Sequence, residues 1–512
     1  MDKNAKQRQG GAILSYLYSF AQVVVGLLYV PLLLTGIGAS EYGLYQLIGS
    51  IISYISVMGA IFSGGITRFY CKYYSEKNII MMENTLAIGR SIYRIVSLIA
   101  IPVGVAAAVT MRFIYSSSLT EFQLMESSFL IAILVANLIV MMNNTLNVAI
   151  INAHERFIFL KITQLLTAVA QPIITVFAII LFPTATTVCA IQFGLNILCA
   201  IVQRIYARRV LKAKVVLHHR DKRLFREILL FSSGILFVLI ADQVFWKTNQ
   251  LILGYLYGTS VVAVYAIAMQ ICMIYQPIGT AIASVFMPKV SQLIFKEKDM
   301  RSVSFLFNDI GRISSYPLFL VLLGFAVFGQ DFISLWAGPD FEEAYSIALI
   351  VMVPFTIDLL QHLGLTILQV VNKYAFRGKV YLVMAILDVV LVLALSPSYG
   401  AVGSAVATAI ALFLGSGLIM NIYYAKSVGL LIKDFWLGIL KVLLPLVGFS
   451  VLFVVVTEAL SLRWSTWMTL FVGIGVYTLL FALTSYFFSM STSERDLVNS
   501  FFSKIKAYLH RG

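Results

Sequence analysis

Gly38-Ala39-Ser40-Glu41-Tyr42-Gly43-Leu44-Tyr45 returns, after a shift of 220 residues, as Gly258-Thr259-Ser260-Val261-Val262-Ala263-Val264-Tyr265. Without gaps, the same shift brings Ile51 onto Ile271, Gly59 onto Gly279 and, further along, Asn152 onto Asn372. Each copy lies between long apolar runs, so the shift also carries the run at 12–34 onto that at 229–253, and 186–207 onto 400–424. An internal repeat at this distance divides the chain into halves with the same order of elements.

Composition says what those elements are. Of 512 residues, 60% are apolar and only 12% charged, with a mean hydropathy of +0.92. Soluble domains carry about twice that charge fraction. A helical crossing needs about 20 apolar residues, and runs of that length lie near 12–34, 43–67, 91–113, 125–150, 161–183, 186–207, 229–253, 262–285, 311–335, 344–368, 379–397, 400–424, 437–457 and 465–488. The expected fold is therefore an all-α integral membrane protein with fourteen transmembrane helices. The first run is longer than a signal-peptide core and has no small-residue cleavage pattern, so it reads as a span.

With the N-terminus on the cytoplasmic side, all Lys and Arg except Arg112, Lys247 and Arg463 fall on inner connections. That asymmetry places both termini inside. It also explains most of the formal charge of +14 as topology rather than nucleic-acid binding. Six crossings separate the repeats, so they share one orientation and form two parallel six-helix lobes related by a pseudo-twofold axis along the membrane normal, plus two C-terminal helices. The expected divisions are an N-terminal lobe at 1–208, a basic linker at 209–228, a second lobe at 229–425, and helices 13–14 with a tail at 426–512. Two such lobes facing a central cavity suit alternating access.

Enzymatic motifs are missing from the sequence. Gly378-Lys379 is followed by Val380 rather than Ser or Thr, and there is neither His-Glu-x-x-His nor Gly-x-Ser-x-Gly. The expectation is a transporter, not an enzyme, without cofactor or metal. Cys71, Cys189, Cys199 and Cys272 show no paired spacing.

The turn Leu34-Thr-Gly-Ile-Gly38 to Tyr45, its second copy Ile252 to Tyr265, and the basic entry Leu224-Phe-Arg-Glu-Ile-Leu-Leu-Phe-Ser232 resemble bacterial polysaccharide exporters of the multidrug/oligosaccharidyl-lipid/polysaccharide superfamily. Length and the 6+6+2 arrangement agree along essentially the whole chain. The resemblance implies a Wzx-type flippase in the bacterial cytoplasmic (inner) membrane. Such a flippase moves undecaprenyl-pyrophosphate-linked oligosaccharide repeat units to the outer leaflet for O-antigen, capsule or exopolysaccharide assembly. Membrane lipids, a polysaccharide polymerase and chain-length proteins would be its partners. Two relatives compete: ion-coupled multidrug carriers for organic cations, and lipid II flippases. The latter carry cavity arginines in the first, second and eighth spans, whereas here spans 1 and 8 have none and Arg68 lies at the inner end of span 2.

Ionisable groups inside a span cost several kcal/mol unless they face protein or water, which makes them functional candidates. Lys247 is the one cation deep in the predicted membrane and could partner a pyrophosphate; the alternatives are snorkelling to the outer interface or pairing with a carboxylate. Asp242, in the same span, lies about 140° around the helix from Lys247. Its repeat partner is Gln22, and with Asn249 these make a candidate polar layer. Arg68, Arg90 and Arg312 sit at inner span ends, where topology explains them and capture of an incoming pyrophosphate would use them. Asp358 and His362, four apart and so on one helix face, and Asp388 are candidates for a coupling ion or for a polar pair locking spans 10 and 11. Asn137, Asn144, Asn196 and Gln203 are expected to bond between helices.

Overall fold

The computed structural model describes residues 3–219, 221–297 and 299–509. Among them it is helical nearly throughout, with no strand. Eleven helical stretches are long and apolar enough to cross a membrane. The described chain separates into two compact units, residues 1–266 and 267–512.

The first unit opens with α1 (Lys3–Ser75), which covers the two runs expected at 12–34 and 43–67. It is divided at Gly38, whose φ of 81° and ψ of 164° lie outside helical space. An L-residue with a side chain resists that conformation, which is why glycine holds the turn. There follow α2 (Ile79–Ile114), α3 (Glu121–Ala153), α4 (Phe157–Leu181), α5 (Ala185–Ile205) and, after the basic linker, α6 (Lys222–Tyr257). A capping box of Thr120 and Gln123 starts α3, and Thr184 and Asp221 cap α5 and α6. Gly258, the repeat partner of Gly38, ends α6 with a φ of 79°. The two copies of the opening motif therefore share a backbone conformation as well as residues.

Within this unit α1 packs on α3, α4 and α6, while α2 and α5 both pack on α3. A Cβ on Gly43 would lie 1.8 Å from the Thr259 carbonyl oxygen, so only glycine permits that approach. Ser40 Oγ lies 3.0 Å from Thr259 Oγ1, and the Gln123 amide donates to both hydroxyls at 2.7 and 3.2 Å. The first unit ends inside α7 (Thr259–Val285).

The second unit continues with α8 (Met287–Gln292), α9 (Met300–Trp336), α10 (Glu343–Leu360), α11 (His362–Val370), α12 (Tyr374–Leu412), α13 (Met420–Tyr423), α14 (Ile432–Ala459), α15 (Trp467–Thr484) and α16 (Thr492–Leu509). The run expected at 344–368 is interrupted at Gln361 between α10 and α11, and α12 is divided at Gly400. α14 and α15, the helices expected beyond the repeat, pack on α9. Phe328 of α9 meets Phe453, Trp464 and Tyr477 at ring distances of 5.9, 5.5 and 5.6 Å, all edge-on, a geometry that adds to the burial of these rings.

Candidate functional site

The candidate cation is built on α6. One side of this helix is fixed to its neighbours by polar contacts. Tyr54 Oη meets Thr248 Oγ1 and donates to the Gln243 carbonyl at 3.3 Å; Ser50 Oγ donates to the buried Gln250 side chain; and Tyr115 Oη donates to the Leu251 carbonyl at 2.9 Å. Asn249 is fully buried, its amide donating to Tyr265 Oη at 3.0 Å, which makes it part of this scaffold. Lys247 lies between these anchored residues, half-buried, and makes no ion pair or hydrogen bond among the described residues. Asp242 is exposed and interacts elsewhere; Gln22 is exposed and donates to Tyr18 Oη within its own helix at 2.8 Å.

The arginines expected at inner span ends have three different settings. Arg68 is exposed, with its guanidinium 4.7 Å from the Phe231 ring centre of α6, a cation–π contact within the first unit. Arg90 lines a cavity of about 360 Å³ with Arg204 and Arg208, two residues that sequence reading assigned only to topology. Arg312 is fully engaged: Nε and Nη2 each donate to Glu494 at 2.9 Å, Nη1 to the Gly438 carbonyl at 2.9 Å and Nη2 to the Ser489 carbonyl at 3.2 Å. Tyr316 Oη adds a bond to Glu494 at 3.0 Å. This arrangement ties α16 and α14 to α9.

Asp358 accepts from Ser416 Oγ at 2.7 Å and faces Arg377 of α12 at 3.3 Å. It is a satisfied pair between α10 and α12, with His362 within electrostatic reach of both charges. Sequence reading placed Arg377 among the inner-loop charges and missed this role. Asp388 is fully buried and accepts from Thr408 at 3.0 Å. The expected bonds between helices are present: the Asn196 amide donates to Asn137 at 2.9 Å, and that of Asn144 to Gln203 at 2.8 Å. Also unforeseen are Glu41 and Glu126 at the start of α5, accepting from the Ala185 amide at 2.9 Å and from Thr186 Oγ1 at 2.7 Å. The positive end of a helix favours carboxyl groups there, but no spacing in the sequence links the two.

Residues 9–294, more than half of the chain, match the model of a family described as polysaccharide biosynthesis protein. A curated relative, "Probable flippase AglR" of Haloferax volcanii, is 25% identical over 179 residues, covering 33% of this chain and 36% of that protein. The chain thus spans about a third of that relative's length. Among solved structures, the lipid II flippase MurJ in an inward closed conformation matches with a TM-score of 0.73 at 15% identity, covering 95% of this chain and 100% of the other. An inward-facing multidrug resistance MATE family transporter of the MOP superfamily matches with a TM-score of 0.56 at 11% identity, covering 82% and 95%. At such identities the likeness is one of fold alone. This multi-pass helical membrane protein belongs to the polysaccharide biosynthesis protein family.

Proposed function

We propose that the chain is a flippase that moves undecaprenyl-pyrophosphate-linked oligosaccharide repeat units from the inner to the outer leaflet by alternating access, for O-antigen, capsule or exopolysaccharide assembly. It has fourteen crossings, both termini are cytoplasmic, the membrane is the bacterial inner membrane, and no covalent chemistry is done on the cargo. The observation that carries the reading is Lys247, a half-buried cation on α6, in a run whose composition predicts a crossing, with no counter-ion among the described residues. An unpaired ammonium in such a place is costly, and a passing pyrophosphate offsets that cost. A Lys also meets the phosphates as a compact point charge that follows them without imposing one planar geometry. Family membership and the relative named a probable flippase support the same direction. An organic-cation carrier needs an available carboxylate instead, and Asp358 and Asp388 are both engaged within the protein.

The polyprenyl tail, about 55 carbons, stays in lipid throughout, because wetting it costs roughly 0.8 kcal/mol for each CH₂. The test uses purified protein in proteoliposomes with a labelled polyprenyl-pyrophosphate oligosaccharide. Translocation proceeds without ATP, is abolished by Lys247→Ala and is partly kept by Lys247→Arg. Full translocation by Lys247→Ala refutes the charge-guided mechanism. Preferred movement of lipid II, or of organic-cation dyes, by the unaltered protein refutes the choice of cargo.

A further inference from the structure

We infer that the cavity lined by Arg90, Arg204 and Arg208 is a binding site for the phosphate of an anionic membrane phospholipid, separate from the Lys247 region and independent of the transport reading. α3 forms its floor, α2 supplies Arg90 on one side, and α5 supplies Arg204 on the other. Arg208 stands on the π-helical turn Tyr206–Val210 that extends α5, and the linker residues Ala213 and Val215 close the rim. A bond from the Ala213 amide to the Ala207 carbonyl at 3.1 Å holds that rim in place.

None of the three guanidinium groups has an ion pair or hydrogen bond among the described residues, and Arg208 lies within electrostatic reach of both Arg204 and Arg90. Like charges converging on one cavity without a carboxylate repel one another, and a ligand anion relieves this. The floor beneath them is polar and hydrogen-bonded. The Asn147 amide donates to Asn144 at 3.0 Å, that of Asn144 to Gln203 at 2.8 Å, and that of Gln203 to Thr163 Oγ1 at 2.9 Å.

The remaining walls choose a lipid over a free anion. Ile139, Val140, Ile197 and Ile201 are apolar, and Ile201 is 48% exposed, so an acyl chain leaving the cavity continues along a hydrocarbon-compatible face. About 360 Å³ accommodates a glycerophosphate but not two acyl chains. All three arginines lie on the side that the charge distribution assigns to the cytoplasm, where basic pockets between membrane helices meet anionic head groups.

The test is native mass spectrometry of the full-length protein released from nanodiscs of phosphatidylglycerol and phosphatidylcholine, with thermal stability in the same lipids as a second readout. The expected result is selective retention of phosphatidylglycerol, weakened about fivefold for each arginine changed to Gln and about a hundredfold in the triple variant. Arg209→Gln, a change in the same π turn but outside the cavity, retains the lipid. Ala200→Trp fills the cavity without altering charge and also loses it, so an unfolded triple variant does not leave the assignment untested. Retention of phosphatidylglycerol at the level of the unaltered protein by both the triple and Ala200→Trp variants overturns the site. Displacement of the lipid by inorganic phosphate at comparable concentration overturns the lipid assignment, and preferential displacement by a polyprenyl pyrophosphate reassigns the cavity to transport cargo. Translocation in vesicles of phosphatidylcholine alone is read separately, since the Lys247 mechanism stands or falls there whether or not this site exists.

Discussion

Replacing Arg312 with Met and Glu494 with Gln, singly and together, measures how strongly the last helix is fastened to the second unit. The two side chains are 16% and 12% exposed and joined by two charged hydrogen bonds of 2.9 Å. Breaking a fully buried pair costs about 3–5 kcal/mol, and an exposed one rarely matters by more than about 1 kcal/mol. This pair falls between, so Glu494→Gln should cost about 2 kcal/mol, with the Arg312 bonds to Gly438 and Ser489 left intact. Arg312→Met loses those carbonyl contacts as well and should cost about 3 kcal/mol. The double variant should cost little more than Arg312→Met alone, a coupling of about 1–2 kcal/mol. Reversible unfolding in SDS mixed micelles reads all four proteins. Costs that add to within about 0.5 kcal/mol would refute the lock. Acid titration provides an independent check. Burial pushes the Glu494 carboxyl up, but the Arg312 side chain, the Ser491 amide and Tyr316 outweigh it and hold the group below its ordinary 4.5. The unfolded chain therefore takes up the proton first. The stabilisation is complete above about pH 4.5 and drains away as pH falls through the lower folded value, and Glu494→Gln removes that dependence.

Gly43→Ala must displace the backbone at Thr259 and should cost about 3 kcal/mol in the same assay; Gly49→Ala, with nothing within 4 Å, should be neutral or stabilising by up to about 1 kcal/mol. Asp358→Asn and Arg377→Gln should each destabilise by about 1–2 kcal/mol, because each leaves one half-shielded charge without its partner. The double variant should recover part of that loss and retain transport in proteoliposomes. Complete loss of transport in a folded double variant would instead make Asp358 the carrier of the coupling ion.

The helical runs and the repeat were legible because both are one-dimensional: apolar length marks a crossing, and Gly38 and Gly258 recur with nearly equal φ. The bonds of Asn137 to Asn196 and Asn144 to Gln203 were foreseeable in kind, since amides inside membranes seek each other. Particular partners were not. Arg312 and Arg90 look alike in sequence, each following a glycine at an inner span end, yet one is saturated by Glu494 and two carbonyls while the other opens on a cavity with two more arginines. Charge counting assigned both to topology, and what separates them is which distant segment folds back. Arg377 escaped notice for the same reason, as its value lies in Asp358 across a turn of the chain.

The clasp between Arg312 and Glu494 also orders events during biosynthesis. Its halves are 182 residues apart, so at about 5–20 residues per second roughly 9–36 s pass between the emergence of one and the other from the ribosome. During that interval the Arg312 guanidinium of α9 has no carboxylate, and α14 and α15 are inserted without their inner fastening. Only a chain translated as far as Glu494 can close the clasp. A premature stop between Arg312 and Glu494 leaves an unmatched charge at the membrane edge, a mark that quality-control proteases can recognise.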